Sequence, residues 1–164
     1  MKLVKHLASG LAMAVLLGSA ASAKTLVYCS EGSPEGFDPA PYTSGTTFDA
    51  VSKTIFNRLV EFEKGTTTVV PGLAESWEVS ADGLEYTFKL RPGVKFQTTD
   101  FFTPTRDFNA DDVVFSFNRQ AKEDDPWHSY IEGITYEYYG GMEMNVVIKE
   151  VQKVDDLTVK FILS

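Results

Sequence analysis

PGLAESWEVSADGLEYTFKLRPGVKF, residues 71–96, holds two period-2 runs on either side of an Asp-Gly pair. Trp77 and Val79 alternate with Glu78 and Ser80, and Tyr86, Phe88 and Leu90 alternate with Thr87, Lys89 and Arg91. Successive side chains of a strand point to opposite faces, so each run predicts a strand with one buried aromatic face and one wet face. Asp82-Gly83 tolerates positive φ, which lets the two runs fold back as an antiparallel hairpin. Pro92-Gly93 ends the second strand, because proline has no amide proton for a ladder and glycine bends freely.

On the C-terminal side, 97–107 is a polar, threonine-rich excursion containing Pro104, the composition of a surface insertion. Asn109 is then placed to cap a helix, with Asp111 and Asp112 in the first turn, where the helix dipole favours anions. Ala110, Val113, Val114, Phe117 and Ala121 form its apolar face. Pro126-Trp127-His128 opens an aromatic-rich loop through Tyr139, punctuated by Gly140-Gly141. Strands are expected over 145–154 and 157–163, around Asp155-Asp156.

On the N-terminal side, 59–63 and 67–70 form a second hairpin about Lys64-Gly65. Before it, Phe48, Val51, Ile55, Phe56 and Leu59 recur at helical spacing and predict a helix whose stripe packs into the core. Thr46-x-x-Asp49 has the spacing of a capping box at its start. Residues 31–46, EGSPEGFDPAPYTSGT, are a loop by composition, and a loop of this length is functional or disordered. Thr25 to Ser30, with the apolar run Leu26-Val27-Tyr28-Cys29, is expected to be a strand covered on both faces. The order predicts an α/β arrangement whose second part is mostly antiparallel.

Residues 1–23 are excluded from the fold. Lys2 and Lys5 make a basic start, residues 7–17 an apolar core, and Ala21-Ser22-Ala23 a small-x-small site, the pattern of a secretory signal peptide cleaved after Ala23. Without Lys2 and Lys5, 13 basic residues face 23 acidic ones, a formal charge of −10. So acidic a chain is not expected to seek nucleic acid or an anionic membrane surface. An exported chain permits disulfides, yet Cys29 is the sole cysteine. A free buried thiol and a disulfide to a region beyond this chain are both open. The chain stops at Ser164 directly after an expected strand, which predicts that it is a piece of something longer.

The residue inventory speaks against catalysis. His128 is the sole histidine after residue 23, too few for a zinc or iron cluster. The aspartate pairs at 111/112, 124/125 and 155/156 serve helix starts and turns. No nucleophile elbow or glycine-rich phosphate loop is present. A binding function remains. The loop Pro41-Tyr42-Thr43-Ser44-Gly45-Thr46 runs into a helix start, where backbone amides and hydroxyls gather and attract groups such as a carboxylate. Simple capping of the helix is the alternative use of the same residues. Trp127, with Tyr130 beside it, could stack on a ligand or pack on the surface.

LAESWEVSADGLEYTFKLRPGVKF (73–96), then FNADDVVFSFNR (108–119), together resemble the peptide/nickel class of periplasmic solute-binding proteins. LVYCSEGSPEGFDPAPYTSGTTFDA (26–50) is similar to its dipeptide-binding branch, whose relatives also bind haem or glutathione. The resemblance implies a two-lobed periplasmic-binding-protein-like α/β fold. Residues 24–46 then supply the first strand and ligand-side loop at the edge of lobe I, and 47–164 a helix plus a β-rich subdomain. It implies capture of dipeptides or short peptides by a monomer, without a cofactor, for delivery to an inner-membrane ABC permease. Haem or glutathione is the alternative cargo, and a secreted hydrolase the alternative class. In the family the first loop lines the cleft, which favours Thr43, Ser44 and Gly45, and ligand-facing aromatics lie near Trp127. The aspartate and arginine that hold the peptide's two ends lie in the later part of family members, beyond Ser164.

Overall fold

In a computed structural model, residues 27–52 and 54–164 are described. The hairpin forms as expected: β3 (Ala74–Val79) pairs antiparallel with β4 (Glu85–Leu90), setting Trp77 opposite Phe88 and Val79 opposite Tyr86. Its turn is closed by the Gly83 amide donating to Ser80 O at 2.9 Å, with Gly83 at φ 76°. The Asp82 carboxylate accepts from the Leu84 amide at 3.1 Å, an Asx turn that fixes the reversal. The upstream hairpin is also present, β1 (Val60–Phe62) pairing with β2 (Val69–Pro71).

Two later strands, β5 (Ile148–Asp155) and β6 (Thr158–Leu163), complete a four-stranded antiparallel sheet of order β3-β4-β6-β5. Helix α2 (Ala110–Ala121) lies across β5 and β6. The core forms between them from Ala74, Leu90, Phe108, Ala110, Val113, Val151, Val159 and Phe161. The Phe161 ring stands edge-on to Phe117 at 4.8 Å and to Phe88 at 5.5 Å, tying helix to sheet. On the opposite, wet face Lys160 reaches Glu85 at 2.8 Å. Val79, expected on the buried face of its strand, is exposed instead, because it lies on the edge strand β3 away from α2.

The start of α2 is a capping box. The Asn109 side chain accepts from the Asp111 amide at 2.9 Å, and the Asp112 carboxylate accepts from the Asn109 amide at 2.9 Å. Arg106 adds a two-pronged contact to Asp112 at 2.7 and 2.9 Å. Asn109→Ala removes one arm of the box and is expected to lower stability by about 1 kcal/mol, read as a lower urea midpoint with an unchanged slope.

Several expectations are corrected. Residues 27–30 form no strand, and Val27 is 80% exposed; a strand exists only as a paired ladder, and no described strand lies beside this segment. Thr25 and Leu26, like the expected signal peptide, fall outside the described residues. Helix α1 covers only Gly45–Val51, so Ile55 and Phe56 are exposed instead of packed. Its end is set locally: Ser52 Oγ donates back to Phe48 O at 2.5 Å, Thr54 does the same to Ala50 O, and Arg58 donates to Ser52 O at 2.6 Å. Such side-chain bonds compete with the helix ladder. The residue at the N-cap position is Ser44, two before the Thr46 that the capping spacing indicated, and its side chain makes no capping bond.

The last strand pair starts late because helical turns take up the chain before it. A short helix α3 (Glu137–Gly141) is followed by α4 (Met144–Val147), in which the amides of Val146 and Val147 both donate to Glu143 O at 2.9 Å. The expected strand from residue 145 therefore begins only at Ile148. Ala121, assigned to the apolar face of α2, is exposed at its last position.

Candidate functional site

The loop ahead of α1 is held in shape by its own hydroxyls. Thr47 is fully buried, and its Oγ1 accepts from the Glu35 amide and from Ser44 Oγ, both at 3.0 Å. Thr46 Oγ1 donates to Ser33 O at 3.3 Å. The hydroxyls that sequence spacing assigned to capping thus close the loop instead, and the Ser44 side chain makes no cap. Pro41 is buried, Ser44 half-buried, and Thr43 and Gly45 exposed. A methyl group on Gly45 would meet nothing within 4 Å, so this tip faces open space. With two turns only, α1 brings a small dipole to the tip, and the exposed hydroxyl and backbone are its main polar offering.

Trp127 is 56% exposed and stands edge-on to Phe115 at 6.2 Å. Its amide donates to Asp125 at 2.9 Å. The indole meets α2 through Phe115 and leaves a little over half of the residue exposed. Cys29 is exposed with a free thiol. The buried-thiol reading is therefore wrong, for the same reason that its strand is absent.

Sequence reasoning missed the group that joins these two segments. Asp38, in the first loop, takes both terminal nitrogens of Arg119, at 2.7 and 2.9 Å, and the Tyr130 hydroxyl at 2.5 Å. It also accepts from the Ala40 amide at 3.0 Å. The Arg119 guanidinium sits over the rings of Phe115 at 5.8 Å and Tyr130 at 5.7 Å, a favourable cation–π arrangement. The carbonyl of Arg119 contacts His128 Nδ1 at 2.9 Å, and Tyr136 donates to His128 O at 3.0 Å. His128 therefore has a structural position in this network. A second contact joins the same segments, Phe48 of α1 edge-on to Tyr138 at 5.2 Å. Thr43, Ser44 and Gly45 thus lie in a segment fastened to the one that carries Trp127.

Burial pushes the Asp38 carboxyl up, but the hydrogen bonds from Arg119, Tyr130 and the Ala40 amide, with the Arg119 charge, outweigh it and lower the pKa to about 2. A depressed carboxylate stabilises the fold above its unfolded value near ~3.9, and that contribution is lost as pH falls through the folded value. Discounted for solvent screening at this half-buried site, the effect is about 1 kcal/mol. The stability gap between the wild type and Asp38→Asn is expected to shrink by about 1 kcal/mol between pH 5 and pH 2, as urea unfolding at each pH would show.

Residues 68–164 match the family described as bacterial extracellular solute-binding proteins, family 5 Middle, and the chain belongs to that family. The family is one of solute binders, not of enzymes, and its members act outside the cytoplasm. Among its relatives, di/tripeptide-binding protein 4 of Pseudomonas aeruginosa (strain UCBPP-PA14) is 56% identical over 163 residues, 99% of this chain and 30% of that protein. The dipeptide-binding protein of Escherichia coli (strain K12) is 58% identical over 152 residues, 93% of this chain and 28% of that protein. The crystal structure of a dipeptide binding protein from Pseudoalteromonas sp. SM9913 in complex with Met-Leu superposes with a TM-score of 0.79 at 40% identity, covering 84% of this chain and 27% of that one. The chain spans about 30% of the length of these curated relatives. Its α/β body with an antiparallel sheet is part of the two-lobed periplasmic-binding-protein fold that the sequence led us to expect.

Proposed function

We propose that the protein carrying this chain is the substrate-binding subunit of an ABC importer that captures dipeptides or short peptides in the periplasm and hands them to an inner-membrane permease. The observation that carries this reading is the likeness, over most of the chain, to a dipeptide binding protein whose structure holds Met-Leu. Identities of 56% and 58% to a di/tripeptide- and a dipeptide-binding protein support it. The protein works as a monomer, without a cofactor, and is exported by cleavage after Ala23.

Residues 24–46 supply the ligand-side edge of lobe I, and 47–164 the helix and β-rich subdomain behind it. The exposed tip Thr43-Ser44-Gly45 offers a hydroxyl and bare backbone to the peptide, and Trp127 offers an aromatic face. A charged peptide end removed from water needs an ionic partner. In this reading those partners come from the opposing lobe, which shuts on the peptide about a hinge. The exposed Cys29 thiol forms a disulfide with a cysteine outside this chain, fastening the exposed segment 27–30.

Calorimetry of the complete gene product with a dipeptide panel tests the reading. Heat from at least one dipeptide is expected. No heat from any, with the protein demonstrably folded, removes it. A Soret shift on adding haem, or glutathione competing with peptide, would move the assignment to the haem- or glutathione-binding branch, and turnover of the peptide to a hydrolase.

A further inference from the structure

We infer that Asp38 and Arg119 form a latch that sets the position of the Thr43–Gly45 tip relative to the sheet, making both of them positioning residues for ligand binding. This rests on the reading of that tip as part of the ligand wall.

The anchor is rigid on the sheet side. Arg119 lies in the last turn of α2, and the packing of Phe117 on Phe161 fixes that helix to β6. The guanidinium is held between the Phe115 and Tyr130 rings, and its side chain is only 15% exposed. Both terminal nitrogens go to Asp38, while the buried Nε has no partner among the described residues. Its two hydrogen bonds to the Asp38 carboxylate are joined by a contact to the Tyr130 hydroxyl, which itself donates to Asp38, so the three side chains hold one another. A planar fork meeting a carboxylate with two parallel bonds fixes direction as well as distance.

The loop side is short. Asp38 also accepts from the Ala40 amide, which turns the chain into the buried Pro41. At the far end Thr47 fastens Glu35 and Ser44 to α1. Between the two fastenings only Tyr42 and Thr43 lie without either anchor, and Thr43 is exposed at the tip. Tyr130 donates to the same carboxylate, so the loop bearing Trp127 takes its position from Asp38 as well. Opening the latch should leave the core untouched and let the tip sample positions that no longer meet a ligand. Apparent affinity falls by the fraction of molecules that keep the binding-competent position.

The test uses the complete gene product in four forms: wild type, Asp38→Ala, Arg119→Met and Asn109→Ala. Arg119→Met keeps an apolar stem between the two rings and removes the charge. Asn109→Ala weakens α2 at its opposite end and stands for merely structural damage. Amide hydrogen exchange over residues 39–46 is expected to quicken about tenfold in both latch variants, with β4 and β6 unchanged, and dissociation constants for a dipeptide such as Met-Leu to rise about tenfold. The double variant Asp38→Ala/Arg119→Met should be no weaker than the weaker single one, since each residue acts through the other. Unchanged exchange in the loop, an additive double variant, or equal loss of affinity in Asn109→Ala would each overturn the latch. Quickened exchange with unchanged affinity would overturn its role in positioning. If the wild type binds no dipeptide, the functional reading falls, and the exchange measurement still decides whether the latch holds the loop.

Discussion

Replacing Phe161 by alanine is expected to destabilise the protein by about 4 kcal/mol, within the range for deleting a buried aromatic ring from a packed core. The ring is 7% exposed and sits where three elements meet. It packs edge-on against Phe117 of α2 and Phe88 of β4, and in register it faces Tyr86 on one neighbouring strand and Val151 on the other. Edge-to-face pairs add about 0.5–1.5 kcal/mol beyond the area they bury, so the loss exceeds that for an aliphatic residue of equal burial. The cavity is hard to refill, because Phe88 and Val151 sit on strands paired along both sides of β6. Val79→Ala makes the contrast. It lies on the same sheet but is exposed, and should change stability by less than about 0.5 kcal/mol. Urea unfolding of both variants checks the pair. A loss below about 1 kcal/mol for Phe161→Ala would mean that helix and sheet do not share one core.

The parts of this fold that could be read from sequence are those whose signal is local. Trp77–Val79 and Tyr86–Leu90 alternate on either side of Gly83, which sits where the turn needs positive φ, so hairpin, pairing and turn came through, while the burial of Val79 at the sheet edge did not. Asn109, Asp111 and Asp112 stand side by side in sequence, and the start of α2 came through with them. The end of α1 did not. Ile55, Phe56 and Leu59 continue a helical stripe, but Ser52 and Thr54 bond back onto the preceding turn and stop the helix at Val51. A seven-residue helix has little cooperativity with which to override such bonds. The segment 27–30 failed for the opposite reason: an apolar run can call for a strand but cannot supply its partner.

The candidate site was legible as two loops and not as one assembly. Thr43 to Gly45 and Trp127 were picked out from composition and from the family resemblance. What joins them, Asp38 to Arg119 across 81 positions and Asp38 to Tyr130 across 92, has no periodicity to reveal it. The available hints were an Asp ahead of Pro39, where a side-chain turn is common, and a lone arginine on a helix with Phe115 one turn before it. Neither hint names its partner. Long-range ion pairs are chosen by tertiary geometry, so sequence offers candidates for them and no pairing.

Gly72→Ala is expected to cost about 2–3 kcal/mol, at the upper end of what overpacking usually costs. The reason is proximity, not backbone conformation, since Gly72 has no positive φ. A Cβ there would stand 2.5 Å from Arg58 O and 3.1 Å from Leu59 O. Both obstacles are main-chain carbonyls engaged in bonds of their own: Leu59 O accepts from the amides of Gly72 and Ala74, and Arg58 O accepts from that of Leu73. A clash with a flexible side chain relaxes by rotation, whereas relief here means separating the chain before β1 from the entry to β3. That separation would loosen Ala74, which is fully buried in the core, and the Leu73 carbonyl, which accepts from Arg91 beside β4. Gly83→Ala provides the comparison, because it meets nothing within 4 Å but adopts φ 76°. Its cost is the left-handed penalty alone, about 1 kcal/mol. Urea midpoints should order the variants wild type, Gly83→Ala, Gly72→Ala, and exchange of the Leu73 and Ala74 amides should quicken only in the last. Equal midpoints for the two glycine variants would show that β1 and β3 approach less closely than the geometry has them, and that the small hairpin is not anchored to the main sheet through Gly72.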